Sequence, residues 1–347
     1  IGLIGNDVPA RRKDQGLPLE DVDGNELARQ SLRYLYRILF LLFAEASPEL
    51  QILPTGAAEY VDGYGLDRLR DYALTPPLTE QARRGTHLYD SLQVLFDQVS
   101  HGHHPEQTEN ADEDAQNEGL TFRNLEADLF KPEATSLLSG TRLSNEALTK
   151  VLQRLLLSKE KAGKDRGFIS YATLGVTELG QVYEGLMSYH GFIAQEDLYE
   201  VAPGGNASKG SWVLPVGRAS SVLEDSFVME MREQPEGGYA PARREHKRGS
   251  FVFRQSSRDR ERSASFYTPE VLTQFTVGQA LEVLEEEGRI QTAEDILDLT
   301  ICEPAMGSGA FAVEAVRQLG ERYLKLREAE LGEQVPPEDR TLSLIHI

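Results

Sequence analysis

The amino-acid sequence predicts a mixed fold, with a mainly α-helical N-terminal domain followed by the beginning of an α/β domain. Apolar residues recur at helical spacing in several segments of residues 1–200, which predicts the helical part. Near the other end, the β-branched run 296–301 leads through a Gly-x-Gly turn into another helical pattern. This order predicts a buried strand, a tight turn and a helix, which is the unit from which α/β domains are built.

Five segments of the N-terminal region have helical apolar spacing, and Pro or Gly residues lie between them. These segments are 26–46, 60–72, 86–98, 145–158 and 176–189. The strongly apolar stretch 34–46 is too short to span a bilayer and contains Arg37, so we expect a buried helix there. The sequence contains no run of 18 apolar residues and predicts no association with a membrane.

Residues 201–262 predict an irregular connector with two short strands, at 213–216 and 250–254. The segment 242–264, named here the basic strap, holds eight Lys or Arg residues against three acids. Two interpretations stay open: a surface that contacts nucleic-acid phosphates, or a solvated linker that balances an acidic neighbour. The candidate phosphate contacts are Arg243, Arg244, Lys247, Arg248, Arg254 and Arg258.

The segment 101–119 has six acids, no Lys or Arg and almost nothing to bury, so we expect a disordered surface loop. Its histidines, His101, His103 and His104, have no cysteine nearby. A solvated loop is therefore the preferred interpretation, and we predict no metal site.

Length, cysteine content and net charge further limit the class of protein. A length of 347 residues allows two or more domains, and a single cysteine excludes a disulfide framework and fits a reducing cytoplasm. That residue, Cys302, is expected to be a small packing residue. The net charge of −20 is unfavourable for binding DNA, although it does not describe local patches such as the basic strap.

The glycine turn has the features of a nucleoside-binding loop. Gly307 and Gly309 lack a Cβ, so a ligand can approach the main chain, and a helix from Ala310 would direct its free N–H groups towards that ligand. The nicotinamide fingerprint Gly-x-Gly-x-x-Gly is not met, because position 312 is Ala. Upstream, Pro269 is expected as the first residue of a helix with Thr268 as its N-cap.

Two motifs together resemble a known family. Phe-Tyr-Thr-Pro at 266–269 and Glu-Pro-Ala-Met-Gly-Ser-Gly-Ala-Phe at 303–311 resemble the S-adenosylmethionine-binding motifs of N6-adenine-specific DNA methyltransferases. The residues of the second motif are most similar to those of large methylases from bacterial restriction-modification and anti-phage systems of the DISARM and BREX kinds. The resemblance extends to 35–45 and 179–186. It implies that 263–340 begins a Rossmann-like, S-adenosylmethionine-dependent methyltransferase domain.

The resemblance also implies roles for individual residues. Thr268 would contact the carboxylate of the cofactor, Glu303 would lie near its amino group, and the glycines would form the floor of the pocket. The positions carried over are Phe266, Tyr267, Thr268, Pro269, Glu303, Pro304, Ala305, Gly307, Ser308 and Gly309. The implied partners are double-stranded DNA, from which adenine is flipped for methylation at N6, and other subunits of a defence system.

The sequence departs from the family pattern because no Asn-Pro-Pro-aromatic motif occurs in it, and the ribose-binding acid is also absent. We therefore expect a fragment that lacks the catalytic loop and is inactive alone. Residue 1 is Ile, and 341–347 resembles a translated sequencing adapter, the alternative being a genuine apolar strand.

Three alternative functions stay open. The same pocket could serve methylation of RNA or of a protein glutamine. The chain could belong to a fusion of methylase and endonuclease, although Glu245-His246-Lys247 is its only Glu-x-Lys sequence and is interpreted as chance. It could also be a non-catalytic module that binds DNA or protein.

Overall fold

A computed structural model describes residues 1–103, 120–125, 127–159, 166–172, 174, 179–180, 182, 186, 189–234, 237–255, 268–304, 306 and 309–335. The chain divides into two compact units. The first comprises Ile1–Leu174 and Leu186–Ser263, and the second comprises Gly175–Gly185 and Ala264–Ile347. The helical region and the connector therefore belong to one unit.

The first unit contains eight α-helices among its described residues. They are α1 (Gly2–Asp14), α2 (Gly24–Ala46), α3 (Ala58–Gly63), α4 (Leu69–Leu74), α5 (Glu80–Arg84), α6 (His87–His101), α7 (Ser136–Thr141) and α8 (Asn145–Leu156). The longest, α2, begins where the Asp23 carboxylate accepts a hydrogen bond from Asn25 N at 2.7 Å. Its buried face forms the centre of the unit's hydrophobic core.

Arg37 of α2 is fully buried in this core. Its guanidinium donates from Nε to Leu129 O at 2.7 Å and from Nη2 to Lys131 O at 2.8 Å. It also lies over the rings of Phe96 and Phe130, at 5.3 and 5.9 Å from their centroids. A charge inside the core thus holds the segment after the acidic stretch against α2.

The predicted helices at 26–46, 86–98 and 145–158 are confirmed by α2, α6 and α8, although α8 ends two residues early, at Leu156. The single helix predicted over 60–72 is wrong. That region forms α3, a 3₁₀ turn at Leu66–Arg68 and α4, because glycines at positions 63 and 65 interrupt it. The predicted helix 176–189 lies mostly outside the described residues, and its last residue, Tyr189, begins a strand.

Seven short strands follow among the described residues, all of them in the first unit. They are β1 (Tyr189–Ile193), β2 (Leu198–Val201), β3 (Trp212–Pro215), β4 (Met229–Glu233), β5 (Tyr239–Arg243), β6 (Glu245–His246) and β7 (Phe251–Gln255). They pair antiparallel as β1–β7, β3–β2–β6 and β4–β5. Both strands predicted for the connector are confirmed, as β3 and β7, and five others were not foreseen.

The helical core and the strands meet at two glycines. A Cβ on Gly24, at the start of α2, would lie 2.4 Å from Phe192 Cα, and one on Gly191 in β1 would lie 2.6 Å from Gly24 O. Neither residue has a left-handed backbone, so the requirement for glycine is one of space. The backbones of α2 and β1 therefore pack directly against each other.

The second unit is helical where it is described. It contains α9 (Glu270–Glu286), α10 (Ala293–Leu297) and α11 (Ala310–Leu331), with a small core of Leu281, Ile290, Ile296 and Leu319. The predicted helix from Ala310 is confirmed. The strand predicted over 296–301 is wrong, because Thr292 and Asp295 form a capping box that starts α10 and makes Ile296 helical. The described residues of this unit contain no strand, so its α/β character stays a prediction.

The acidic segment 101–119 is described only at its start. His101 is the last residue of α6, and His103 pairs with Phe122 in an isolated β-bridge, so these two residues are ordered rather than part of a loop. Residues 104–119 lie outside the described ranges. No helix in the described ranges is both long and apolar enough to cross a bilayer.

We predict that Gly24→Ala lowers the free energy of unfolding of the first unit by about 3 kcal/mol, because the new methyl group meets backbone atoms that cannot turn aside. Gly56→Ala is the matched control, since a Cβ there meets nothing within 4 Å. Urea unfolding followed through Trp212, the single tryptophan, measures both. Equal midpoints for the two variants would contradict the close crossing.

Candidate cofactor-binding site

The start of α11 is shaped by Gly309. This residue is the N-cap and has a left-handed backbone, with φ 77° and ψ 17°. Its N–H donates to Met306 O at 2.7 Å, and its carbonyl accepts from Val313 N at 2.9 Å. A glycine suits this position because a left-handed conformation costs it little. It also leaves the helix without a capping side chain.

Glu303 compensates for the missing cap. Its Oε2 atom accepts a hydrogen bond from Ala312 N, in the first turn of α11, at 3.0 Å. A carboxylate at this end of a helix is favoured by both the free N–H groups and the helix dipole. The side chain is half-buried, and its Oε1 atom has no protein partner among the described residues. Glu303 is thus fixed at a helix N-terminus with one oxygen left over.

A cavity of about 550 Å³ adjoins Glu303. Helices α9 and α11 form two of its walls, and the segment 300–304 forms a third. Its lining residues are Val277, Ala280, Leu281, Leu284, Thr300, Ile301, Cys302, Glu303, Pro304, Phe311, Ala312, Ala315 and Leu319. A largely apolar lining with few polar groups, and a volume between roughly 300 and 1,000 Å³, are typical of small-molecule sites.

The predicted cofactor residues are only partly placed. Glu303 and Pro304 line the cavity, whereas Thr268, Pro269 and Gly309 do not. Five others, Phe266, Tyr267, Ala305, Gly307 and Ser308, lie outside the described residues. The expected start of α9 is wrong by one position, since Pro269 is its N-cap and Glu270 its first residue. Pro269 has ψ 139°, so its backbone is still extended.

The cavity includes residues that the sequence did not single out. Helix α9 provides Val277, Ala280 and Leu284, which recur at helical spacing in the sequence. Cys302 was expected to pack inside the protein, but its side chain is exposed beside the cavity. Residues 300–303 do not form the predicted strand and are therefore not buried within a sheet, which explains the exposure of Cys302.

The described part of the basic strap, 242–255, is folded, and most of its cations are already bound within the protein. Arg243 donates to both oxygens of Glu224 and lies 4.0 Å from the centroid of the Phe227 ring. Lys247 bonds to Asp197 at 3.1 Å and to Glu245 at 2.5 Å.

Two further cations of the strap, Arg254 and Arg248, differ in their contacts. Arg254 Nη1 donates to Ser211 O at 2.6 Å. The side chain of Arg248 is exposed and has no partner among the described residues, and Arg258 lies outside them. The described part of the strap, 242–255, is therefore closer to a network of local contacts than to a row of free cations.

Glu200 is the centre of this network. It is buried, and its Oε2 atom lies 3.2 Å from Arg244 Nη1 and 3.3 Å from His246 Nε2. Burial raises the pKa of Glu200. Hydrogen bonds from His246 and Ser211 and the charge of Arg244 outweigh burial and lower the pKa from 4.5 to about 2. These contacts join β2 to β6 and to the segment before β3.

No group of three or more His, Cys, Asp or Glu side chains in the described part of the chain is arranged to hold a metal ion. Glu245 and Lys247 pair with each other, and Glu245 also lies 3.8 Å from Arg232. No protein-family profile, curated protein or solved structure matches this chain.

We predict that Glu200→Gln lowers the free energy of unfolding by about 2 kcal/mol at neutral pH, because it removes charge-assisted hydrogen bonds from a buried carboxylate. Since the pKa of Glu200 is lowered on folding, its contribution is complete above pH 4.5 and is lost as the pH falls towards 2. Urea midpoints of the wild type and the variant should therefore converge at acidic pH.

Glu224→Gln is the control for this prediction. Glu224 also pairs with an arginine of the strap, but its side chain is 77% exposed. We expect less than about 1 kcal/mol at any pH from such a surface pair. A loss at Glu200 that is no larger than the loss at Glu224 would show that the network is not a buried support.

Proposed function

We propose that this chain carries the S-adenosylmethionine-binding part of an adenine-N6 DNA methyltransferase of a restriction-modification or phage-defence system. The observation that supports this proposal is the position of Glu303. The acid of the Glu-Pro-Ala-Met-Gly-Ser-Gly motif lies at the N-terminus of α11 and lines a cavity of about 550 Å³.

The chemistry of the cavity fits this cofactor. S-adenosylmethionine has a cationic amino group, for which the remaining oxygen of Glu303 is a suitable acceptor. Its adenine ring is flat and has two π-faces, which can pack against an apolar wall such as that formed by Val277, Leu281 and Phe311. When bound, it supplies a methyl group on a positively charged sulfur. This chain would hold and orient the cofactor.

The proposed substrate is an adenine flipped out of double-stranded DNA, whose N6 amino group accepts the methyl group and then loses a proton. The residues that align this amino group in the family form an Asn-Pro-Pro-aromatic loop, which the sequence given does not contain. We therefore expect these 347 residues to bind the cofactor without transferring its methyl group.

We predict that Glu303→Gln weakens S-adenosylmethionine binding by roughly tenfold to a hundredfold, which corresponds to the loss of one charge-assisted hydrogen bond. The glutamine can still accept from Ala312 N, so the helix start is kept and only the charge is removed. Isothermal titration calorimetry of the full chain measures this. Glu294→Gln, at an exposed acid of α10, is the control.

A steric pair tests the cavity itself. Ala280→Trp would fill it from the wall formed by α9, whereas Ala329→Trp lies on α11 outside the lining. Both alanines are exposed, so neither change disturbs the core. We expect loss of cofactor binding only for Ala280→Trp. If Glu303→Gln and Ala280→Trp bind the cofactor as tightly as their controls, Glu294→Gln and Ala329→Trp, the assignment of the pocket is contradicted.

Binding to double-stranded DNA is a separate prediction. Each phosphate contact by a cation contributes about 0.9 to the slope of log affinity against log salt concentration. Arg248→Gln should lower this slope by about that amount, whereas Arg243→Gln should change it little because Glu224 already holds Arg243. Fluorescence anisotropy with a labelled duplex measures both slopes. No change for Arg248→Gln would exclude its contact with DNA.

One observation favours the second candidate, a non-catalytic interaction module. Val271, Leu272 and Phe275 in the first turns of α9 are 73%, 53% and 66% exposed. Apolar side chains grouped at a surface are typical of protein interfaces. Failure of the wild-type chain to bind S-adenosylmethionine would favour this candidate over the first.

A further inference from the structure

Strands β4 and β5 form a hairpin of only two strands, and no other described strand joins this sheet. The base of the hairpin is fixed, because Val228 N donates to Glu200 O at 2.9 Å and Arg244 N donates to Val228 O at 2.7 Å. The hairpin therefore continues from the network around Glu200. Both of its outer edges lack a neighbouring strand among the described residues, and an unpaired edge can accept a further strand.

The register of the hairpin shows which backbone groups point outwards. Gln234 N donates to Gly238 O at 2.9 Å, so the even-numbered residues of β4 form the hydrogen-bonded pairs with β5. Such pairs alternate with pairs whose N–H and C=O groups point away from the neighbouring strand. The outward residues of β4 are Met229, Met231 and Glu233. None of their N–H or C=O groups has a hydrogen-bond partner among the described residues.

The two edges of the hairpin differ in their capacity to pair. Pro241 is the middle outward residue of β5 and lies directly opposite Met231. It has no N–H group, so the β5 edge is interrupted at its centre. Strand β4 contains no proline and can donate along its whole edge. The β4 edge is therefore the one that can accept another strand.

One face of the hairpin is apolar and exposed. Met229 and Met231 are 49% and 62% exposed, and Tyr239, on the same face, is 68% exposed. Glu230 and Arg232 lie on the opposite face, because side chains alternate along a strand. A strand added beside β4 would cover part of the methionine surface, and methionine side chains adapt readily to the surface they pack against.

The order of charges in β4 indicates which strand fits its edge. The strand reads Met-Glu-Met-Arg-Glu. If it pairs antiparallel with β4 of a second copy about a twofold axis at Met231, each Glu230 lies opposite Arg232 of the other copy. Sliding the second strand by two residues would instead place Glu230 opposite Glu230, or Arg232 opposite Arg232. Opposite charges stabilise such cross-strand pairs and like charges destabilise them, so a single register is favoured.

We propose that β4 is a dimerisation edge, which pairs antiparallel with β4 of a second copy of this chain. The two hairpins then form one sheet in the order β5–β4–β4–β5. At the axis, each Met231 N–H donates to the Met231 C=O of the other copy. The methionine side chains pack together on one face, and two Glu230–Arg232 pairs form on the other.

The interface has twofold symmetry and closes after two copies, so it produces a dimer and not a filament. It involves five residues of β4 from each copy. An interface of this size is small, so we expect a dissociation constant in the micromolar range. The edge lies in the first unit, and the proposal does not depend on the proposed function.

Sedimentation velocity of the full chain over the micromolar range tests the proposal. The wild type should change reversibly from monomer to dimer as its concentration rises. Glu230→Arg and Arg232→Glu each place like charges opposite each other, and each should weaken dimerisation by about tenfold or more. The double variant Glu230→Arg/Arg232→Glu exchanges the two charges, restores the opposite pairs and should dimerise like the wild type.

A mixture of the two single variants separates pairing between copies from effects within one copy. Glu230 and Arg232 also contact Arg244 and Glu245, and these contacts are altered in each single variant whether or not the two are mixed. Only pairing between the copies brings opposite charges together in the mixture. We therefore expect the mixture to dimerise when neither variant does so alone.

Met231→Pro tests the backbone pairing separately. It removes the N–H group at the axis, whereas the hydrogen bonds with β5 are made by the neighbouring residues and are kept. We expect a folded monomer, with thermal unfolding as the check on folding. A wild type that stays monomeric, single variants that dimerise like the wild type, a mixture that does not recover, or a folded Met231→Pro variant that still dimerises overturns the proposal.

Discussion

The first unit depends on the direct contact of two backbones, those of α2 and β1, at Gly24 and Gly191. Each glycine removes a side chain that would hold the helix away from the strand. Because β1 pairs with β7, this crossing also sets the position of a strand that belongs to the basic strap. The helical core and the connector are therefore one structure, joined where neither has a side chain.

Charge is organised locally rather than across the whole chain. The protein has a net charge of −20, yet its densest basic segment is balanced by acids from β2, β4 and the neighbouring turns. Paired cations are held in fixed places and do not need phosphate to satisfy them. Among the described cations of this region, Arg248 is the one that can contact a phosphate without giving up an existing side-chain contact.

The long helices and two of the strands could be predicted, because their patterns are local and strongly periodic. The run 296–301 could not be predicted correctly, because β-branched residues suggested a strand while the capping box at Thr292 started a helix. The candidate site shows the same division. Glu303 and the Gly309 turn were visible in the sequence, whereas the contribution of α9 to the cavity required the packing of α9 beside α11.

The basic strap shows why electrostatic roles are hard to infer from sequence. Arg244 and its partner Glu200 are 44 residues apart, and no pattern in either segment predicts that they pair. The pair depends on a tertiary contact between two residues that no local sequence pattern links.

Glu303 accepts a hydrogen bond from Ala312 N and also lines the cavity. A cation that binds this carboxylate also changes the stability of the first turn of α11. By thermodynamic linkage, any change that stabilises or destabilises that turn alters the affinity of the cavity for the cation by the same factor. The amide proton of Ala312 is consequently a built-in reporter of occupancy, whose exchange with solvent should slow or quicken as the cavity fills.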